Sequence, residues 1–102
     1  MNGSDSASTG RMWVRIIKGH RTTRDLTIPC QRTAPLVALQ NAMHTLDLSM
    51  PVWLLRHQQD WDRFALTRLL PEHFVDSVDF DRMDISYIAP EETRKPNTTR
   101  GD

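Results

Sequence analysis

The chain has 102 residues, is 38% hydrophobic and 25% charged, and carries no formal net charge, the composition of a folded globular domain rather than a disordered or fibrous one. No uninterrupted apolar run exceeds the length of Val52 to Leu55, far short of the ~20 residues of a helical membrane span, so a membrane protein is not expected. The single cysteine, Cys30, excludes an intramolecular disulfide and a cysteine-based zinc site, leaving packing to hold the fold.

Residues 1–10 read MNGSDSASTG; without periodicity or apolar content they are expected to be a disordered tail. They also lack the apolar stretch of a secretory signal, which makes the cytoplasm the expected location. From Met12 the chain alternates, with Met12, Val14 and Ile16 on one face and Trp13, Arg15 and Ile17 on the other, the period of a strand. Gly19 supplies a turn, and His20 to Thr23 reads as the exposed hairpin tip. Leu26, Ile28 and Cys30 then alternate with Asp25, Thr27 and Pro29 as a second strand, which Pro29 ends or confines to an edge.

Thr33, before Ala34 and Pro35, has the form of a helix cap. Leu36, Leu39, Met43 and Leu46, flanked by Ala38 and Ala42, trace one helical stripe that ends near Asp47. Beyond Pro51, Val52 to Arg56 has the length of a buried strand, His57 to Asp62 reads as a polar turn, and Arg63 to Arg68 as a return strand. Trp61 and Phe64 would equally suit the start of a helix. Leu69 to Phe74 suits a short helical turn, and Met83, Ile85 and Tyr87 mark a last strand before Pro90. The domain is therefore expected over 11–90, with a flexible C-terminal tail over 91–102.

A hairpin, one main helix and two or three further strands resemble, by order of elements, the ubiquitin-like β-grasp fold, an α+β architecture. The resemblance implies a mixed sheet with the first and last strands side by side and parallel at its centre, and one helix across a face. It does not extend to conjugation, since ubiquitin-like conjugated proteins end in paired glycines and this chain ends Thr99, Arg100, Gly101, Asp102. A ferredoxin-like sandwich is the alternative and would need two full helices.

Charge is unevenly spread along the chain. Residues 11–32 hold six basic side chains (Arg11, Arg15, Lys18, Arg21, Arg24, Arg32) against Asp25 alone, whereas residues 33–92 hold four basic and ten acidic ones. Asp76, Asp79, Asp81 and Asp84 lack the glycine and terminal glutamate of a calcium loop and read as a solvated turn. Among the four histidines, His57 with His73 is the most tempting ligand pair, yet no spacing matches a metal motif. Cys30 is expected to pack rather than react. The closing Arg100, Gly101, Asp102 matches an extracellular adhesion tripeptide and is taken as coincidence.

Three tryptophans, at 13, 53 and 61, are many for so small a core, so Trp13 and Trp61 are candidate exposed anchors for a partner. With Arg15, Lys18, Arg21 and Arg24 they form the candidate partner-binding set. The expectation is a small interaction module without catalytic activity, cofactor or metal, binding another protein or a second copy of itself. Nucleic-acid binding through the basic hairpin 11–32 is the less favoured reading, because the pI of about 6.9 lacks the basic excess of such proteins.

Overall fold

The computed structural model describes residues 9–90. It shows an α+β domain: β1 (Gly10–Lys18), β2 (Arg21–Cys30), α1 (Pro35–Leu46), α2 (Leu55–Phe64), β3 (Leu66–Leu69), a 3₁₀ turn (Pro71–His73) and β4 (Arg82–Ile88). Gly10 already belongs to β1, because it pairs with Cys30. The rest of the expected N-terminal tail, apart from Thr9, and the whole of 91–102 lie outside the described residues.

The hairpin forms as its pattern predicts, with a tighter tip. Lys18 pairs with Arg21, so only Gly19 and His20 turn, with φ of 59° and 70°. Positive φ at both central residues matches the right-handed twist of the flanking strands. The tip expected over His20 to Thr23 is shorter because β2 starts at Arg21 and absorbs Thr23 as a bulge, where the register shifts between Ile16 and Ile17. Ile16 and Ile17 are both buried, on opposite faces of β1, whose pairing with β4 runs unbroken through Ile16 opposite Met83 and Ile17 opposite Arg82. Pro29 lies in β2, which is an edge strand of the order β2-β1-β4-β3, where a missing donor is tolerated.

Helix α1 buries Pro35, Ala38, Leu39, Ala42, Met43 and Leu46. Leu36, expected on that stripe, is 40% exposed, because the buried arc centres on Leu39 and Leu46 and Leu36 lies at its margin. Thr33 does not cap the helix: the capping position is Ala34, which makes no side-chain bond, and Pro35 opens the first turn. Asp47 closes it at φ 61°, and the Leu48 amide reaches the Met43 carbonyl at 2.9 Å, a left-handed stop that satisfies the last carbonyls.

The stretch expected as strand, turn and strand is largely a second helix. Residues 52–54 are irregular, and Leu55–Phe64 forms α2, burying only His57 and Trp61. One buried polar residue and one buried aromatic four positions apart give a helical face that hydropathy reads as a polar turn. The return strand begins only at Leu66 and ends at Leu69.

That extra helix reverses the last strand. With one helix after the hairpin the chain would start β3 at the hairpin-tip end and bring β4 parallel to β1. Here α1 carries the chain to the tip end, where Leu48 shares a cavity wall with Ile16 and Arg24, and α2 carries it back to Arg32. β4 does lie beside β1 at the sheet centre, but antiparallel, with Arg11 opposite Ile88 and Ile17 opposite Arg82. The sheet is therefore wholly antiparallel, which departs from the β-grasp pairing and its single helix. Both helices falling between β2 and β3 also departs from the ferredoxin-like order.

Met12, Val14, Leu39, Met43, Trp61, Leu69, Met83 and Ile85 form the core on one sheet face. The Trp61 indole is fully buried, donates from Nε1 to the Arg32 carbonyl at 2.8 Å and meets Tyr87 edge-on. Ala65 then ends α2 at φ 60°, a conformation that costs an L-residue with a Cβ. Ala65→Gly is expected to stabilise the domain by about 1 kcal/mol, read as a higher urea midpoint; an unchanged or lower midpoint contradicts this account of the cap.

Candidate functional site

Period-two alternation puts Trp13 and Arg15 of β1, Asp25 and Thr27 of β2, Leu66 and Arg68 of β3, and Asp84 and Ser86 of β4 on the face opposite the core. Both helices contribute to the core on the other side, so among the described residues no helix covers this face. Trp13 lies between Thr27 and Ser86, and Arg15 between Asp25 and Asp84.

Trp13 is half-buried. Its Nε1 donates to Asp25 Oδ2 at 2.9 Å, and the Arg15 guanidinium stacks 4.4 Å from the ring centroid. One ring face is thus already taken by a cation, which leaves less of it for stacking on a base. Asp84 gathers three guanidinium groups: Arg68 Nε at 3.1 Å, Arg82 Nε at 3.2 Å and Arg15 Nη2 at 3.9 Å. Its side chain is 14% exposed, so it is a half-sequestered counter-ion in β4 rather than part of a solvated turn. Arg15 Nε is buried without a partner, one donor more than Asp84 and Trp13 satisfy.

Beside this cluster a cavity of about 460 Å³ is lined by Arg15, Phe64, Leu66, Arg68, Asp84 and Ser86, and also by Asp60, which accepts from Thr67 Oγ1 at 3.1 Å. Phe64 and Leu66 are 60% and 50% exposed, an apolar margin next to the guanidinium groups. Phe64, Leu66 and Arg68 do not stand out in the sequence, because the cavity arises only from the pairing of β3 with β4; the one signal available was an apolar residue at each side of Ala65.

The other candidates divide. Trp61 is in the core and offers no surface to a partner. Trp53 is half-buried, with Nε1 bonded to Gln58 Oε1 at 2.9 Å, so neither of the remaining indoles is fully exposed. Lys18 pairs with Asp79 at 3.8 Å across two exposed side chains, and the Gly19 amide donates to Asp81 Oδ2 at 2.7 Å. Arg21 and Arg24 are exposed at the start of β2. The basic and acidic segments of the chain thus meet within one molecule, along β1 and β4.

His57 and His73 do come together, with ring centroids 4.7 Å apart, but both are buried. Among the described residues no three His, Cys, Asp or Glu side chains gather as a metal-binding group. Cys30 is 3% exposed at the end of β2, its Sγ donating to the Gln31 carbonyl at 3.4 Å. Burial pushes its thiol up to about 11, with Arg32 opposing. No helix among the described residues is long and apolar enough to cross a membrane.

Searches against protein-family models, curated proteins and solved structures return no match for this chain.

Asp84→Asn leaves three arginines without their shared carboxylate and is expected to cost about 1–2 kcal/mol in urea denaturation, less at high salt; no loss would mean the cluster contributes nothing. Cys30 is expected to alkylate at least about a hundredfold more slowly in the folded than in the unfolded chain near pH 8, and equal rates would contradict its burial.

Proposed function

We propose that this protein is a non-catalytic interaction module whose uncovered sheet face binds an extended acidic segment of another protein. The observation that carries the reading is the cavity at which exposed Phe64 and Leu66 adjoin Arg15 and Arg68. A carboxylate there would meet guanidinium donors in a partly desolvated place, where charge-assisted bonds are strongest, while an apolar neighbour would cover Phe64 and Leu66. The formal charges of the face lean the same way: Arg11, Arg15, Arg68 and Arg82 stand against Asp25 and Asp84, with Asp60, at the cavity wall, already bonded by Thr67 Oγ1. Association of two copies through opposite charge halves is less favoured, because those halves already pair inside one chain.

Nucleic acid would use the same arginines but needs an open ring on which to stack, and Trp13 is covered on one side by Arg15. Selection from a displayed random peptide library, followed by amide-shift titration, tests the reading. Acidic peptides with an apolar residue are expected to be enriched, to shift Arg15, Leu66, Arg68 and Ser86, and to bind at least about tenfold more weakly to Arg68→Glu. No enrichment, shifts mapping elsewhere, or tighter binding of single-stranded oligonucleotides at moderate salt would overturn it.

A further inference from the structure

The chain contains one local pattern twice, a leucine followed three residues later by a histidine: Leu54 to His57 and Leu70 to His73. Both copies fold alike. His57 Nδ1 accepts the Leu54 amide at 2.8 Å at the start of α2, and His73 Nδ1 accepts the Leu70 amide at 3.0 Å at the start of the 3₁₀ turn. Each imidazole therefore does what a glutamate or glutamine does at the third position of a helix, reaching back to an amide that has no partner within the helix.

The two caps are built against each other. The rings meet edge to face at 4.7 Å, and the Val52 amide donates to the His73 carbonyl at 2.8 Å, joining the segment before α2 to the 3₁₀ turn. An imidazole that accepts at Nδ1 carries its proton on Nε2 when neutral. His57 Nε2 is buried without a partner, and His73 Nε2 faces Arg56 Nη2 at 3.0 Å. Neither ring has a carboxylate on it that would welcome a second proton. From α2 the facing groups are Arg56 and Asp60, the latter accepting from Thr67 Oγ1 of β3 at 3.1 Å; from the segment before α2 it is the Trp53 ring, 5.5 Å from His57.

We infer that His57 and His73 are an acid-operated latch: a proton taken up at Nδ1 turns a cap acceptor into a donor against the amide it holds, and frees the start of α2 and the 3₁₀ turn from one another. Two protonated rings at this distance, beside Arg56, would also repel. At His57 only Asp60 pulls the other way, and Glu72 precedes His73 in the 3₁₀ turn. The sheet and α1 make none of these cap bonds, so opening is local.

His57 titrates below its ordinary 6.5, held down first by burial, then by His73 and Arg56, with Asp60 opposing. A pKa lowered in the closed state means that the open state binds the proton more readily. The latch is thus fully closed above about 6.5 and weakens as pH falls below it.

Amide exchange of the full chain between about pH 7.5 and about pH 5 tests this, after correction for the chemical exchange rate. Protection at the Val52, Leu54, His57, Leu70 and His73 amides, which the caps and their junction hold, is expected to fall by about tenfold per pH unit for each proton taken up, while β1 and β4 amides keep theirs. Ring-nitrogen resonances should show Nδ1 gaining its proton over the same range. In H57Q/H73Q, whose amide side chains can cap without titrating, the acid response is expected to vanish. Acid-independent protection, loss at all amides together, or a double variant with the wild-type response would each overturn the latch. Should the double variant not fold, the wild-type rings decide: protection lost while Nδ1 stays unprotonated overturns it as well.

Discussion

The burial of Trp61 is the contact on which the rest of this structure depends. Its indole is wholly removed from water and bonded to the Arg32 carbonyl, with Tyr87 against its edge, so one side chain of α2 is joined to the β2–α1 connection and to β4. A buried tryptophan contributes several kcal/mol through area and packing, a large share of the stability of a domain this small. Docking α2 in this way returns the chain to the end of the sheet where β2 finished. From there β3 and β4 can only run as they do, and the antiparallel sheet follows.

The same topology accounts for the electrostatics. Placing β4 beside β1 sets the acidic segment of the chain against the basic one, so that Lys18 meets Asp79, Gly19 meets Asp81 and Arg15 meets Asp84. What reads along the chain as two oppositely charged halves is internal complementarity in space. The residue left over is local: Asp84 is shared among more guanidinium groups than it can satisfy, and Arg15 Nε stays without an acceptor. That surplus, on a face that no helix among the described residues covers and next to Phe64 and Leu66, is what the proposed binding surface rests on; at the hairpin, Arg24 lines a separate cavity with Ile16, Leu48 and Phe80.

The two histidine caps show how polar groups can replace the usual signals of helix start. Neither Leu54 nor Leu70 has a side-chain oxygen to hold free amides, and the need is met from the other direction by His57 and His73. Burial of the first of them in turn accounts for the misreading of residues 52–64 as strand and turn: a helix whose inward face is one imidazole and one indole shows almost no apolar period.

Local pattern alone determined the hairpin, the main helix with its stop at Asp47, the short turn near Pro71 and the last strand, because each rests on alternation, helical spacing or backbone restrictions of glycine and proline that act within a few residues. It also singled out His57 and His73 as a pair, though not that they would be buried caps. Strand direction, the burial of Trp61, the half-covered state of Trp13 and the cavity between Arg15, Arg68, Phe64 and Leu66 were decided only by the tertiary structure. Each of these depends on partners brought from far along the chain, and no short stretch of sequence carries the energy of such a contact.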